Sequence, residues 1–281
     1  AADVRARPVW AHDQHALSAT AVCVRQGGFA TLRILTQIRV TVEDDDTGVV
    51  SQTLPLTVRN AAPVISNLRL AEAQIKEGET ATVIGSFTDA GWGDSFSIEV
   101  DWGDGNFIAT PLSAVGSFAD GSGQFTLTRL FSDDNPSGTP QDFADIRVRV
   151  IDDDTGSAQG NLRLRIDNVA PTITAMNLSS TLVREGETLG VSGSFNDPGI
   201  ADTFTLEVDW GNGVFLPYDF AANGSFAGGV GSFSVSQLIE DDHPDSGTPF
   251  DDREIRVRVR DDDPGGAVGS RPVRLLNLPP G

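Results

Sequence analysis

Residues 95–105, SFSIEVDWGDG, decide the fold, because they contain the clearest strand pattern and the clearest turn of the chain. Apolar and polar residues alternate from 96 to 102, which is typical of a strand with one buried and one solvent-facing side. The predicted inward residues are Phe96, Ile98, Val100 and Trp102. The predicted solvent-facing residues are Ser97, Glu99 and Asp101. Asp104-Gly105 then predicts a tight turn, since this pair readily takes positive φ values.

The same text returns 108 residues later, at 203–213, as TFTLEVDWGNG. Two further stretches recur in the same order: GSFTDAG at 85–91 as GSFNDPG at 193–199, and IRVRVIDDDTG at 146–156 as IRVRVRDDDPG at 255–265. An ordered repeat of this length predicts two homologous domains. The predicted boundaries are 63–170 for the first repeat and 171–281 for the second, with 39–62 as the tail of an incomplete upstream unit and 1–38 as an atypical segment that we expect to be poorly ordered.

Each repeat contains about seven short strand patterns separated by turn residues. No segment of either repeat has helical periodicity, so no helix is predicted. Residues 112–118 are predicted as a weak strand. This predicts an all-β fold made of tandem, immunoglobulin-like (Ig-like) antiparallel β-sandwiches of about 100 residues each. The strand phases predict these core residues: Val100, Trp102, Val148, Val150, Val208, Trp210, Val257 and Val259.

The charge of the chain is strongly acidic, with 20 Lys and Arg against 40 Asp and Glu. The excess lies in the repeats, each of which has seven basic and seventeen acidic residues. This balance argues against nucleic acid or an anionic membrane as partner and favours cations or basic partners. Cys23 is the only cysteine, so no internal disulfide is expected. We expect no membrane insertion and no signal peptide within this fragment, which we interpret as an internal part of a longer protein.

Three motifs carry a resemblance to a known family: DWGDG at 101–105, DDDTG at 152–156, and the linkers NAAP at 60–63 and NVAP at 168–171. In this combination residues 39–281 resemble the PKD domain family in the tandem form found in large bacterial surface and secreted proteins. Asn212 departs from the pattern, since it replaces the second Asp of DWGDG. The resemblance implies extracellular PKD-like sandwiches that serve as spacers, adhesion modules or protein-contact modules, and it does not imply catalysis.

The residues themselves also argue against an enzyme. Asp154-Thr155-Gly156 matches the tripeptide of aspartic proteases, but it follows two further acids in a predicted exposed turn rather than an apolar strand. His243 has no counterpart in the first repeat, where Asn135 stands. We therefore predict no catalytic site.

Clustered Asp residues in loops predict a calcium site, because this hard cation takes six to eight oxygen ligands. In an Ig-like sandwich the B–C and F–G loops lie at the pole beside the preceding linker, which we call the proximal pole. The predicted metal ligands there are Asp89, Asp94, Asp152, Asp153 and Asp154 in the first repeat, and Asn168, Asp197, Asp202, Asp261, Asp262 and Asp263 at the second. The remaining turns form the distal pole, which faces the next unit and carries Glu77, Glu79, Asp104, Asp133 and Asp134. Two acidic poles would repel each other without a cation. The alternative is that these carboxylates are merely solvated and provide solubility.

Two other surface features have milder explanations. Outward-facing Arg147, Arg149, Arg163 and Arg165 are expected to form cross-strand ion pairs, for example with Glu99. Trp92 lies in a loop where it could stack on a sugar, but the second repeat has Ile200 at this place.

The predicted function is a non-enzymatic structural or adhesion array, a rigid spacer at the cell surface or outside the cell with Ca²⁺ at its junctions. Its expected partners are neighbouring domains of the same chain, and other surface proteins or polysaccharide. The alternative is a protein- or polysaccharide-binding accessory module of a secreted hydrolase. The full-length reading frame would separate these two functions.

Overall fold

The computed structural model describes residues 3–5, 9–10, 16–24, 33–43, 48–134, 138–240 and 248–277, with side chains from Ile38 onward. The chain forms two compact units. The first comprises Ala1–Arg69, Ile84–Thr126 and Arg147–Asn161, and the second comprises Leu70–Val83, Leu127–Ile146 and Leu162–Gly281. These units cut across the sequence repeats, so the repeat boundaries stay a prediction.

The N-terminal part contributes five strands to one sheet: β1 (Asp3–Arg5), β2 (Val9–Trp10), β3 (Ala16–Val24), β4 (Arg33–Glu43) and β5 (Val49–Arg59). The sheet order is β1-β3-β4-β5, and β2 also pairs with β3. Strands β4 and β5 pair antiparallel from Arg33 with Arg59 to Glu43 with Val49. The backbone thus forms strands in parts of segment 1–38, whereas its remaining residues, His12 and His15 among them, lie outside the described residues.

The first repeat contains nine strands and one helical turn. They are β6 (Val64–Leu70), β7 (Gln74–Lys76), β8 (Thr80–Thr88), β9 (Phe96–Asp101), β10 (Ile108–Pro111), α1 (Leu112–Val115), β11 (Gly116–Ala119), β12 (Ser122–Leu130), β13 (Gln141–Asp152) and β14 (Ser157–Asp167). One sheet has the order β11-β12-β8-β6 and the other β10-β9-β13-β14-β7. These orders correspond to the A-B-E-D and C-F-G sheets of the Ig fold. Strands A, B, E and D are β6, β8, β12 and β11, and strands C, F and G are β9, β13 and β14. The predicted all-β, antiparallel, Ig-like class is confirmed.

The second repeat has the same sequence of elements. They are β15 (Thr172–Leu178), β16 (Leu182–Arg184), β17 (Thr188–Asn196), β18 (Thr205–Asp209), β19 (Leu216–Tyr218), α2 (Phe220–Asn223), β20 (Gly224–Ala227), β21 (Val230–Leu238), β22 (Phe250–Arg260) and β23 (Ala267–Leu276). Its sheets are β15-β17-β21-β20 and β16-β23-β22-β18-β19. Short parallel pairs, β7 with β14 and β16 with β23, are the departure from antiparallel pairing that the sequence analysis missed.

The predicted core is confirmed, because all eight core residues named from the strand phases are buried. In the second repeat the two sheets share one apolar cluster, to which β17 contributes Val191 and β22 contributes Val257. Aromatic rings bridge the sheets in the same way in both repeats. Phe87 and Phe96 have ring centroids 4.9 Å apart, and Phe195 and Phe204 repeat this distance.

The predicted exposure of Asp101 is wrong, because this carboxylate is fully buried. Its Oδ1 accepts hydrogen bonds from Gly103 N at 2.9 Å and Gly105 N at 3.0 Å, and its Oδ2 accepts one from Arg147 Nε at 2.8 Å. Asp209 makes the equivalent contacts in the second repeat. The turn is also longer than the tight hairpin predicted, since β9 ends at Asp101 and β10 begins at Ile108. Within this turn Gly103 and Gly105 both have positive φ.

The absence of helix was also predicted wrongly. Residues 112–115 form the single turn α1 between β10 of one sheet and β11 of the other, and Leu112 is its buried residue. In α2 the Asp219 carboxylate accepts a hydrogen bond from Ala221 N at 3.1 Å, which caps the turn. Both helices of the described chain have four residues, so neither approaches the length and hydropathy of a membrane-crossing helix.

Three of the four predicted cross-strand ion pairs are present, those of Arg147, Arg149 and Arg163, whereas Arg165 pairs with Asp167 of its own strand. Arg149 Nη1 lies 3.6 Å from Glu99 Oε2, and Arg163 Nε lies 3.9 Å from Asp145 Oδ1. Arg149 also stacks over the Phe107 ring at 3.8 Å from its centroid, a contact repeated by Arg258 over Phe215. The guanidinium groups therefore stack on aromatic rings and also lie near acids.

We predict that Asp101→Ala destabilises the protein by about 3–5 kcal/mol, because it leaves Arg147 and two turn amides without their buried partner. Asp104→Ala is the matched control. Asp104 lies at the exposed tip of the same turn, where its Oδ1 accepts a hydrogen bond from Asn106 N at 2.9 Å, and its loss should cost about 1 kcal/mol or less. Urea unfolding measures both variants, and equal losses would contradict the anchoring role of Asp101.

Candidate metal centre

The loop after β17 folds around its first acidic residue. Asp197 Oδ1 accepts a hydrogen bond from Gly199 N at 2.9 Å, and Asp202 N donates to Gly199 O at 3.3 Å. A side chain at position 199 would collide with the Asp202 carboxylate, since its Cβ would lie 2.4 Å from Asp202 Oδ1. The loop thereby holds Asp197 and Asp202 at the same edge of the second repeat.

The linker between the repeats is fastened to both. Asn168 Nδ2 donates to Asp261 Oδ2 at 3.3 Å, and Val169 N donates to Glu77 Oε1 at 2.7 Å. These two bonds tie the linker to the F–G turn of the second repeat and to the A–B turn of the first.

The A–B turn of the first repeat closely approaches the second repeat. Gly78 has φ +76°, and a Cβ at this residue would lie 2.8 Å from Pro198 O. Ala201 N donates to Ser132 O at 3.2 Å in a second contact between the repeats. Glu77, next to Gly78, is thus placed against the acidic loops of the second repeat.

Seven carboxylates meet here, and we call them the carboxylate cluster: Glu77, Asp133, Asp134, Asp197, Asp202, Asp261 and Asp263. They form three triads, in each of which the ligand oxygens lie within 4.8 Å of one another. The triads are Glu77-Asp133-Asp202, Asp133-Asp134-Asp263 and Asp197-Asp202-Asp261. All seven residues belong to the second compact unit.

The carboxylate cluster is buried except for the half-buried Asp133, and much of its hydrogen-bonding capacity is unused. Glu77 is 1% exposed and Asp134 is 0% exposed. Eight buried oxygens accept no hydrogen bond from the described residues: Glu77 Oε2, Asp134 Oδ1 and Oδ2, Asn168 Oδ1, Asp197 Oδ2, Asp202 Oδ1, Asp261 Oδ1 and Asp263 Oδ1. In Glu77, Asp197 and Asp261 one oxygen of the carboxylate is bonded to the protein and the other is left for a ligand.

The electrostatics of the carboxylate cluster disfavour its charged form. Burial raises the pKa of Glu77 to about 7, and the hydrogen bond from Val169 N partly opposes this rise. Burial, with the charges of Glu77, Asp197 and other carboxylates, raises the pKa of Asp202 to about 8. Burial and the neighbouring Asp263 raise the pKa of Asp134 to about 8, and burial raises that of Asp197 to about 6. A cation among these oxygens would stabilise the charged form of the carboxylates and so oppose these shifts.

A second, smaller triad lies in the first compact unit at the corresponding place of the first repeat, and consists of Asp89, Asp94 and Asp152. Its hydrogen bonds match those of the second repeat. Asp89 Oδ1 accepts Gly91 N at 2.7 Å, and Asn60 Nδ2 donates to Asp152 Oδ2 at 2.8 Å as Asn168 does to Asp261. Burial and four neighbouring aspartates raise the pKa of Asp94. The two proximal poles are therefore built alike.

The structure brings most of the predicted ligands into these groups. Asp153, Asp154 and Asp262 lie outside the triads, and Asp262 Oδ1 instead accepts Thr203 N at 3.0 Å. Glu77, Asp133 and Asp134 enter the carboxylate cluster although the sequence analysis did not count them as ligands. The available signal was their position in the A–B and E–F turns, at the pole predicted to face the next unit. Trp92 is 73% exposed, beside Gly121.

Comparison with known proteins gives distant structural similarities. No protein-family model matches the chain, and a search of curated proteins finds no match. A solved tetra-tandem repeat from the extending region of a large adhesion protein has 12% identity and a TM-score of 0.46, covering 94% of this chain and 71% of that one. The ICAM-5 D1–D4 ectodomain fragment has 15% identity and a TM-score of 0.37, covering 94% and 73%. The protocadherin gamma B4 extracellular domain has 16% identity and a TM-score of 0.32, covering 86% and 38%.

We predict that the metal-free protein loses stability as the pH rises. The unfolded carboxyls have ordinary pKa values near 4, whereas four in the folded carboxylate cluster have values of about 6 to 8. The folded chain thus binds more protons than the unfolded chain between about pH 4 and 8, so the free energy of unfolding falls across that window. Thermal unfolding from pH 5 to 8.5 measures this fall. Asp202→Asn should flatten the profile, and a wild-type Tm that stays constant or rises would contradict the prediction.

Proposed function

We propose that the chain is a non-enzymatic segment of an extracellular structural or adhesion array, in which calcium bound by the carboxylate cluster fastens one repeat to the next. The observation that carries this proposal is the set of eight buried oxygens without a hydrogen-bond donor, drawn from both repeats and from the linker. Burying charged groups without partners costs several kcal/mol for each ion, as an order of magnitude, so a site of this composition needs either bound protons or a counter-charge.

The protein itself supplies little counter-charge. Within the described residues, no Lys or Arg forms an ion pair with Glu77, Asp134 or Asp202, and the same holds for Asp197, Asp261 and Asp263. By contrast, two other buried aspartates, Asp101 and Asp209, each pair with an arginine. An arginine of the chain thus neutralises each of these two carboxylates, and an external cation would do the same for the six named above.

Calcium suits this donor set better than magnesium does. Carboxylate and amide oxygens are hard ligands, and calcium accepts six to eight of them at about 2.3–2.6 Å in flexible geometry. Magnesium requires a near-octahedral site at about 2.0–2.1 Å and keeps several waters, which a crowded, buried set of carboxylates accommodates poorly.

The local structure of Asp154 supports a non-enzymatic role. Thr155 has φ +71°, and Asp154 N donates to Asp152 Oδ1 at 2.9 Å, so Asp154-Thr155-Gly156 forms a turn in which the Asp152 side chain is the acceptor. We further propose that residues 39–281 are PKD-like domains of a bacterial surface or secreted protein, on the motifs DWGDG, DDDTG and NxAP. Binding of polysaccharide, as in an accessory module of a hydrolase, has support from the exposed Trp92 alone, at a position where the second repeat has Ile200.

We predict that Asp202→Asn changes stability with opposite sign in the two metal states. Without calcium, at a pH above the raised pKa of Asp202, the substitution removes a buried, repelled charge, so Tm should rise above that of the wild type. With calcium it removes a ligand, so Tm should fall below that of the wild type. At free calcium about 100 times the dissociation constant, the wild type should gain about 2.7 kcal/mol.

Differential scanning calorimetry in chelator, in magnesium and in calcium measures this inversion. Asp104→Asn is the control, since it makes the same chemical change at an exposed turn where the second repeat already carries Asn212. Its Tm should follow the wild type in all three conditions. If calcium leaves the wild-type Tm unchanged, the carboxylates of the cluster are stabilised by protonation alone. The proposed calcium site is then wrong.

A further inference from the structure

We propose that the carboxylate cluster binds three calcium ions in a row, with Asp133 bridging the first and second ions and Asp202 bridging the second and third. This inference rests on the proposed function, because it requires the carboxylate cluster to be a calcium site. It adds the number of ions and the residues that join them.

The arrangement of the triads points to three ions. Asp133 belongs to two triads and Asp202 belongs to two, so the triads form a chain rather than one ring of ligands. Oxygens bound to one calcium at about 2.3–2.6 Å can lie up to about 5 Å apart. Each triad, with its oxygens within 4.8 Å, therefore has the size of one ion's ligand shell.

The order of the ions follows from the shared residues. The first ion would be held by Asp133, Asp134 and Asp263, the second by Asp133, Glu77 and Asp202, and the third by Asp202, Asp197 and Asp261. Each carboxylate has two oxygens, so one side chain can serve two neighbouring ions. The Asn168 amide oxygen, buried and without a donor, adds a neutral ligand beside Asp261.

Unused, deeply buried oxygens lie along the whole row. Asp134, 0% exposed, presents both oxygens at the first position. Glu77 presents Oε2 at the second, and Asp197, 2% exposed, presents Oδ2 at the third. Each of the three positions thus has a buried acceptor that no described residue satisfies.

The charge of the carboxylate cluster agrees with this number. Seven ionised carboxylates carry seven negative charges. One calcium ion would leave five of them uncompensated inside the protein, whereas three would leave one. The smaller triad Asp89-Asp94-Asp152 carries three charges and is balanced to a similar degree by a single ion.

The test counts calcium ions on the full chain by equilibrium dialysis with radioactive calcium. Asp94→Asn serves as the parent for all measurements, because it disables the smaller triad and leaves the carboxylate cluster as the remaining candidate site among the described residues. The parent should bind three ions. At the lowest free calcium that saturates the parent, Asp133→Asn and Asp202→Asn should each lose two ions, because each bridges two positions. Asp263→Asn should lose one, and the control Asp104→Asn should lose none.

The outcomes separate this inference from the proposed function. If the parent binds one or two ions, or if all three ligand variants lose the same number, the row of three is wrong while the calcium site stands. If the parent binds no calcium, both fail. The parent count requires no substitution in the carboxylate cluster, so the inference can be tested even if a ligand variant does not fold. Circular dichroism of each variant in chelator identifies those that do.

Discussion

Repulsion among carboxylates that are removed from water is the constraint on which the structure depends. Two repeats that carry an excess of acid are brought together through their most acidic turns, and Glu77 is fastened to the linker by Val169 N. Desolvation and like charge act in the same direction there, which raises the pKa of Asp202 and Asp134 to about 8. Protons or cations must compensate this repulsion, and only cations do so without neutralising the ligands.

The same local device positions acids throughout the chain. An aspartate at the end of a strand accepts hydrogen bonds from backbone amides two to four residues ahead, as Asp101, Asp152 and Asp197 do. These short-range hydrogen bonds stabilise the turns independently of a metal. They leave the second carboxylate oxygen available for another partner. In Asp101 the second oxygen meets Arg147, whereas in Asp197 it meets other acids. An aspartate that only stabilises a turn and one that is a candidate metal ligand therefore differ in the group that faces the second carboxylate oxygen.

Strand alternation predicted the core from sequence, because period-two burial is a local property; Trp102 and Val150 are buried as expected. The same alternation placed Asp101 in solvent, since it gives the side of the sheet but not the partner that makes burial of a charge possible. The helical turn α1 was missed because four residues carry no periodicity. Loop topology predicted opposed acidic poles, but it could not reveal that Glu77 and Asp133 share a triad with Asp202, because that depends on distances set by long-range packing.

A crystal structure of the chain grown with calcium, with anomalous diffraction data that distinguish this ion from water, tests the account most directly. The account predicts anomalous peaks within about 2.3–2.6 Å of carboxylate oxygens of Asp133 and Asp202. It also predicts that both repeats contribute ligands to the same group of ions. Carboxylates that pair with one another through shared protons or bind water, with no anomalous peak in the presence of millimolar calcium, would contradict it.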